Sequence, residues 1–504
     1  MKKVIFCGLF LAALQIGGNN ARAENTDAEL LAKMLSETYG AEVKAEISED
    51  ACKITYPQVA VESLMQQVMA ADVKDGDAEP KVEKEVSYIS ETEATCAKIE
   101  DFDGHAQYKI TDIKADKFLA QLYNLFPFAF IKDFEIKDFN EETAVVPALG
   151  LISQDTLSAK NIAYTSKDST TGLKKEMGNL KELSVNRKVT KEGEILTYNY
   201  GSDLANLNFA FPIFSMRINS GNHNAELKFK LPEDAQFDYS NPAQNIEYLI
   251  FSQSHATDKG ISVGVDMFDV HISFDSEVKN YNTWKPTETF DCVGVMTLSN
   301  ISVKGSMIEA MMGTAKKLQS MELKFALNDV DSASFKKMSK LQQEKAETGV
   351  DNDREMAKVM DTIADKAEML AGLKLVFADA EISGKFNFHK KNEFLDGVGR
   401  IDVKNLYNIF PEQKQCLKNP HAATIPACGE GTPFAELKKY IDVSKDDSTT
   451  VIKFTDKGIF RGNKKIGEPV KLNFQRMQME KEMKDKEKAE RIKKLMEERK
   501  KLGK

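Results

Sequence analysis

The sequence predicts an α+β fold, mainly an elongated or curved antiparallel β-sheet with an inserted helical hairpin and a charged C-terminal helix, and three observations carry that expectation. First, Ile261-Ser-Val263-Gly-Val265-Asp-Met267 alternates apolar and polar residues. The phase then slips by one, and Phe268-Asp-Val270-His-Ile272-Ser-Phe274 alternates on the other parity. A period of two puts one face of a strand on a core and the other toward water, and a one-residue slip has to be absorbed by a bulge or a bend. Second, alternation returns in many short runs, among them Leu196, Tyr198 and Tyr200; Leu207, Phe209 and Phe211; Phe214, Met216 and Ile218; and Ala225, Leu227, Phe229 and Leu231. Third, the period changes to 3.6 residues at Met356, Val359, Met360, Ile363, Ala367 and Leu370, the stripe of an amphipathic helix.

Residues 1–23 read as a targeting signal. Lys2 and Lys3 form a basic start, Val4 to Ile16 an apolar run too short to span a bilayer, and Asn20-Ala-Arg-Ala23 a small-x-small cleavage pattern. Cleavage after Ala23 and a periplasmic protein are expected. The chain carries 69 Lys+Arg against 78 Asp+Glu, net −9. The signal contributes +3 and residues 475–504 contribute +5, from 12 basic and 7 acidic residues, which leaves −17 for residues 24–474. An acidic body of that size excludes broad nucleic-acid binding, because the phosphate backbone would be repelled.

Residues 24–145 form a small α+β unit. Thr26-x-x-Glu29 is a capping box ahead of a stripe of Leu30, Leu31, Met34 and Leu35. Alternating Ala41 to Ile47 and Cys52 to Tyr56 make a hairpin, residues 73–90 a charged loop, Tyr108 to Ile113 a strand, and Asp116 to Phe126 a short helix. Residues 146–474 are the main β-rich domain. Its helical insertion at 306–371 opens on Ser306-x-x-Glu309 with Met307, Ile308, Met311 and Met312, and contains one strand at Met321, Leu323, Phe325 and Leu327. Residues 475–504 are a charged, coiled-coil-like tail with i,i+4 pairs such as Glu480–Lys484, which is expected to pack against nothing.

In an oxidising compartment the near cysteines are the natural bridges: Cys416 with Cys428, worth roughly 3 kcal/mol by loop entropy, and Cys52 with Cys96. Cys292, on the alternating face with Met296 and Leu298, reads as a buried thiol.

No motif carries chemistry. The histidines (His105, His223, His255, His271, His389 and His421) stand in no metal-ligand spacing. Ser334-Phe-Lys-Lys337 matches Ser-x-x-Lys, but no Lys-Thr-Gly or Ser-Asp-Asn accompanies it, and the serines fit a helix start. Asp351-Asn-Asp353 lacks the glycine of a calcium loop and reads as the cap of the Met356 helix. Catalytic, cofactor and metal residues are therefore none. Glu226-Leu-Lys-Phe229 recurs as Glu322-Leu-Lys-Phe325, and Leu122-Tyr-Asn-Leu-Phe-Pro127 as Leu406-Tyr-Asn-Ile-Phe-Pro411, without a shared period.

Leu157-Ser-Ala-Lys-Asn-Ile-Ala-Tyr164, Leu298-Ser-Asn-Ile-Ser-Val-Lys304 and the closing run Ile452 to Ile466 with its Gly-Asn-Lys turn resemble the YdgA-like proteins of the Gram-negative envelope. More remotely, the style is similar to AsmA-like proteins. The resemblance implies long curved sheets and, for the AsmA-like group, movement of lipid across the envelope. It supplies no catalytic residues, and this chain lacks the membrane-spanning N-terminus of the AsmA-like plan.

The function expected is that of an exported, non-catalytic envelope protein that binds a protein partner or an apolar ligand along a β-sheet face. A lipid-handling module of the periplasm is the alternative, and a hydrolase with a site invisible in the sequence is third. No cofactor is expected, no nucleic acid, and a peripheral contact with anionic membrane is expected through the basic tail.

Overall fold

The computed structural model describes residues 26–479 apart from 40, 49–51, 64–84, 115–132, 168–173, 212–213, 234–235, 241, 243–244, 266–268, 286–287, 306–317, 412–413 and 415–432; beyond 479 it describes 483–484 and 490–491. The signal segment, the helices expected at 116–126 and 307–312, and most of the tail lie outside the described residues.

Among the described residues nineteen strands belong to one antiparallel sheet, with a separate two-stranded pair, and the fold is largely all-β. The expected α+β class with its helical insertion is thereby overturned. The section 306–371 ends as sheet, in Leu318–Asp331 and from Glu368 onward. The helical stripe extends about one turn beyond the helix, which ends at Lys366. Ala367 is already extended and Met369, Ala371, Leu373 and Leu375 also alternate, so the apolar positions at the junction fit both periods.

The chain forms two compact units, Met1–Lys279 with Leu298–Met312 and Asn280–Thr297 with Gly313–Lys504. The first begins with helix α1 (Asp27–Tyr39). Its capping box is present: Glu29 N–H donates to Thr26 Oγ1 (3.4 Å) and Thr26 N–H to Glu29 Oε2 (3.0 Å). Leu31, Met34 and Leu35 are buried with Val43, Ile54, Tyr56, Tyr108 and Ile110. The strands of this core are β1 (Lys44–Ile47), β2 (Cys52–Tyr56), β5 (Thr92–Phe102) and β6 (His105–Thr111), while β3 (Val59–Ser63) and β4 (Glu85–Ile89) form the separate pair. β6 pairs with β7 (Asp133–Val146), so the ladder continues past residue 145. It runs on through β8 (Leu151–Lys167), β9 (Lys174–Glu192), β10 (Ile195–Phe211), β11 (Phe214–Lys230) and β12 (Leu249–Val265), each paired antiparallel with the next. β13 (Val270–Trp284) and β14 (Thr289–Lys304) follow.

β8 to β12 are 17–19 residues long, well beyond the usual strand. The separate runs Leu196–Tyr200 and Leu207–Phe211 are thus two halves of one strand, as are Phe214–Ile218 and Ala225–Leu231.

The second unit holds β15 (Leu318–Asp331), helices α2 (Ser332–Thr348) and α3 (Asp353–Lys366), β16 (Glu368–Phe377), β17 (Ala380–Lys391), β18 (Phe394–Lys404), β19 (Ser448–Thr455), β20 (Gly458–Arg461) and β21 (Lys464–Gly467). β15 to β19 pair in sequence order. The Leu406-Tyr-Asn-Ile-Phe-Pro411 motif makes one helical turn after the left-handed Asn405, with Leu406 and Ile409 buried beside Ile382, Val403 and Ile441.

Candidate functional site, an apolar sheet face

A line of left-handed residues crosses the long strands of the first unit. Asp138 on β7, Asn161 on β8, Asn206 on β10, Gly260 on β12 and Asn300 on β14 all have φ between +51° and +62°. Asn and Asp adopt this conformation at less cost than other side-chain-bearing residues, and Gly at none. The positions are aligned. Asn161 and Asn206 face the same residue of β9, Lys181, because Ile162 and Leu207 both pair with Leu180. Asn206 lies opposite Asn219 on β11, and a side chain at Gly260 would collide with the Asn219 amide. Asp275 on β13 completes the line: its carboxylate accepts the Gly260 N–H (2.6 Å) and the Asn300 side-chain amide (2.5 Å).

This line changes which side chains share a face. Residues three apart on a regular strand point to opposite faces. Here Ile136 and Phe139, Ala159 and Ile162, and Leu204 and Leu207, each pair straddling a left-handed residue, all join one apolar cluster, together with Leu157, Leu180, Leu183, Val185, Phe209 and Met216. Five members are buried (Leu157, Ala159, Ile162, Leu180 and Phe209) and the rest are half-buried. The result is an apolar face that runs unbroken across the bend.

Further along β10 the same face carries Ser202, Tyr200, Tyr198 and Leu196 by alternation. Arg187, paired in register with Tyr200, sets its guanidinium 5.3 Å from that ring. Beyond it the face is closed by aromatic side chains. Phe229 lies edge-on to Tyr198 (5.7 Å) and to Phe237 (5.2 Å), and Phe237 to Tyr239 (4.9 Å). Burial pushes the Tyr198 hydroxyl pKa well above its ordinary value. The loop that supplies Phe237 and Tyr239 is fixed by buried Asn245, whose side chain accepts the Asp238 N–H (2.8 Å) and donates to the Asp238 carbonyl (2.8 Å).

The opposite face is polar. Ser184 Oγ donates to Asp203 (3.4 Å), Asn222 donates to Asp203, and Asn224 donates to Asn222 (2.6 Å). His255 Nε2 pairs with Glu277 (2.7 Å), whose carboxyl is held below its usual range by Lys279 and His255. On the apolar side itself one polar pair is present: His223, in register with Ser202, pairs with Asp258 (2.9 Å).

In the second unit a comparable apolar face follows from register. Leu323, Leu373 and Gly384 align across β15 to β17, as do Phe325, Ala371 and Phe386. Phe386 and Phe388 lie nearly parallel at 5.8 Å, and Phe388 meets Phe454 edge-on at 4.9 Å. Phe386 lies down because Gly399 opposite it has no side chain, and any Cβ there would strike the ring. Phe325 remains 44% exposed and Leu323 37%.

Of the sequence candidates, Cys52 and Cys96 form a disulfide, directly opposed on β2 and β5 with Cα atoms 4.8 Å apart. Cys416 and Cys428 lie outside the described residues. Cys292 is buried as expected, but it is disulfide-bonded rather than a free thiol. Ser334 is a capped residue and not a nucleophile: its N–H and hydroxyl both donate to Asp331 (2.8 and 2.6 Å), and Lys337 pairs with Glu355 (2.7 Å). Asn352 stands at the N-cap of α3, but its side-chain amide bonds Glu344 (3.1 Å) instead of the helix. Among the described residues no three His, Cys, Asp or Glu side chains converge as a metal site, and no helix is long and apolar enough to cross a membrane.

No protein-family model, curated protein or solved structure matches the chain.

Proposed function

We propose that this is an exported, non-catalytic envelope protein that holds an elongated apolar ligand along the bent face of its first unit, as a lipid-handling module of the periplasm would. One observation carries the reading: side chains from both sides of the Asp138–Asn161–Asn206 line meet in one apolar face that is only partly buried. A sheet that merely needed a core would not need left-handed residues in the middle of strand after strand, a conformation that most side-chain-bearing residues avoid. A half-exposed apolar strip backed by a polar face is the surface that an acyl chain can cover. The Cys52–Cys96 bridge and the N-terminal signal support an oxidising, exported setting, and the YdgA-like and AsmA-like resemblance supports an envelope role. A peripheral contact of the basic 475–504 segment with anionic membrane fits the same role.

The test is binding of a fluorescent long-chain fatty acid, with native mass spectrometry of the protein as purified. Leu207→Asp, on the apolar face, should abolish binding. Asn208→Asp, on the other face, should leave it intact. Equal binding by both variants, or no binding of any apolar probe by the native protein, would overturn the reading.

A further inference from the structure

The segment that follows β21 crosses the β17–β18 hairpin as a strap. Leu395 N–H donates to Val470 O (2.9 Å), Leu472 N–H to Glu393 O (2.7 Å), and the Asn473 amide to Glu393 Oε1 (3.1 Å). No residue from 468 to 479 is buried, so this strap is held by polar contacts and not by a core. It ends on Asp361 of α3. Asp361 Oδ1 accepts the Phe474 N–H (3.0 Å), and Oδ2 accepts the Gln475 N–H (3.1 Å) and the Gln475 side-chain amide (3.2 Å). Lys390 Nζ lies 3.1 Å from Asp361 and 3.0 Å from Asp365, and the side chains of Lys390 and Asp361 are 8% and 9% exposed. The tail therefore does pack at its first residue, contrary to the sequence expectation.

Residues 474–479 are helical. The first four N–H groups of a helix have no partner within it. Here Asp361 takes those of Phe474 and Gln475, and Asn473 Oδ1 takes that of Arg476 (2.8 Å). A carboxylate at this end also meets the positive end of the helix dipole. A short helix with no buried residue is marginal in water, because nucleation is costly. The seed has been supplied from another element.

We propose that Asp361 is an external cap that couples two states of the strap: with the strap docked, Asp361 seeds the helix at Phe474; with the strap released, the helix start and the strap are lost together. The low burial of the strap makes release local, while the buried Lys390–Asp361 pair, with exposed Asp365 beside it, stays behind as the empty dock.

Hydrogen exchange of the full-length protein tests this. In Asp361→Asn, amides of Leu472 and of residues 474–479 should exchange roughly five- to thirtyfold faster, the ratio set by loss of a cap, while Asp365→Asn, which leaves every strap contact in place, should keep them near wild-type protection. Phe474→Pro approaches from the other side: it deletes a donor to Asp361, keeps a residue tolerated at a helix start, and leaves α3 untouched. It should speed Leu472 exchange as well. Should Asp361→Asn unfold the second unit, seen as fast exchange in β16 and β17, Phe474→Pro decides alone. Wild-type protection of Leu472 in Phe474→Pro, or of 474–479 in a folded Asp361→Asn, would overturn the proposal, as would equal loss in Asp365→Asn.

Discussion

Leu204 and Leu207 lie three residues apart on one strand and yet pack into the same apolar cluster, because Asn206 between them has φ +52°. The bend and the apolar face are one feature: if the left-handed residue were extended, every side chain beyond it would change face.

Asn206 should therefore tolerate glycine and resist β-branched residues. Asn206→Gly is expected to change stability by no more than about 0.5 kcal/mol, since glycine adopts positive φ freely. Asn206→Val should cost about 1–3 kcal/mol. Urea unfolding with matched m-values measures both. If valine is as stable as asparagine, the left-handed line is not required by the fold.

Phe229 and Lys228 test the register of β11. Phe229 is 1% exposed between Tyr198 and Phe237, and truncation to alanine should cost about 3–5 kcal/mol. Lys228 faces the other way, pairs with Glu226 at 3.2 Å and sits 5.5 Å from the Phe251 ring. Lys228→Ala should cost at most about 1 kcal/mol. Equal costs would mean that the sheet reading of this strand is wrong.

How much was legible follows from these same residues. Alternation showed the strands, and the shift from even-numbered Met296 and Leu298 to odd-numbered Ile301 and Val303 marks one bend, which the structure places at Asn300, φ +53°. The slip near Phe268 had another cause: β12 ends at Val265 and β13 begins at Val270, so it marks a strand end. Asn161 and Asn206 were missed as bends, because an alternation that restarts on the other parity looks like a new strand. The signal was present as an asparagine between two runs of opposite parity. The dock for the strap was invisible, since Asp361 and Phe474 are 113 residues apart and only folding brings them together.

Asp331 gives a pH-dependent prediction. It caps α2 through the Ser334 hydroxyl and N–H, and it pairs with Lys366 at the end of α3 (2.9 Å). Those contacts, the Ser334 hydroxyl first, hold its carboxyl at about 2. A depressed carboxyl contributes stability above its unfolded value of about 3.9 and loses it as the pH falls toward the folded value. Asn caps a helix about as well as Asp, so Asp331→Asn should lose the charge contribution alone, about 1–2 kcal/mol at neutral pH. The gap from wild type should narrow from about pH 4 downward and close near pH 2. A gap that stays constant across this range would assign the effect to shape and not to charge.

Lys390 is the sharper electrostatic test, because its charge is buried with that of Asp361. Burial pushes the Asp361 carboxyl up, but the N–H groups of Phe474 and Gln475, Lys390 and the Gln475 amide pull it down further, and its pKa ends below the ordinary range. Lys390→Met keeps the length of the side chain and removes the cation. Breaking a buried pair on one side costs about 3–5 kcal/mol, since the remaining charge is uncompensated. That cost depends on Asp361 being ionised. Without Lys390 burial weighs more, the carboxyl pKa rises, and protonation relieves the penalty as the pH falls through the ordinary carboxylate range, near about 4. Urea unfolding should therefore show a large deficit for Lys390→Met at pH 7 and a clearly smaller one at pH 4. A deficit of the same size at both values would show that Lys390 acts through the packing of its methylene stem, and that the charge on Asp361 is carried by the strap alone.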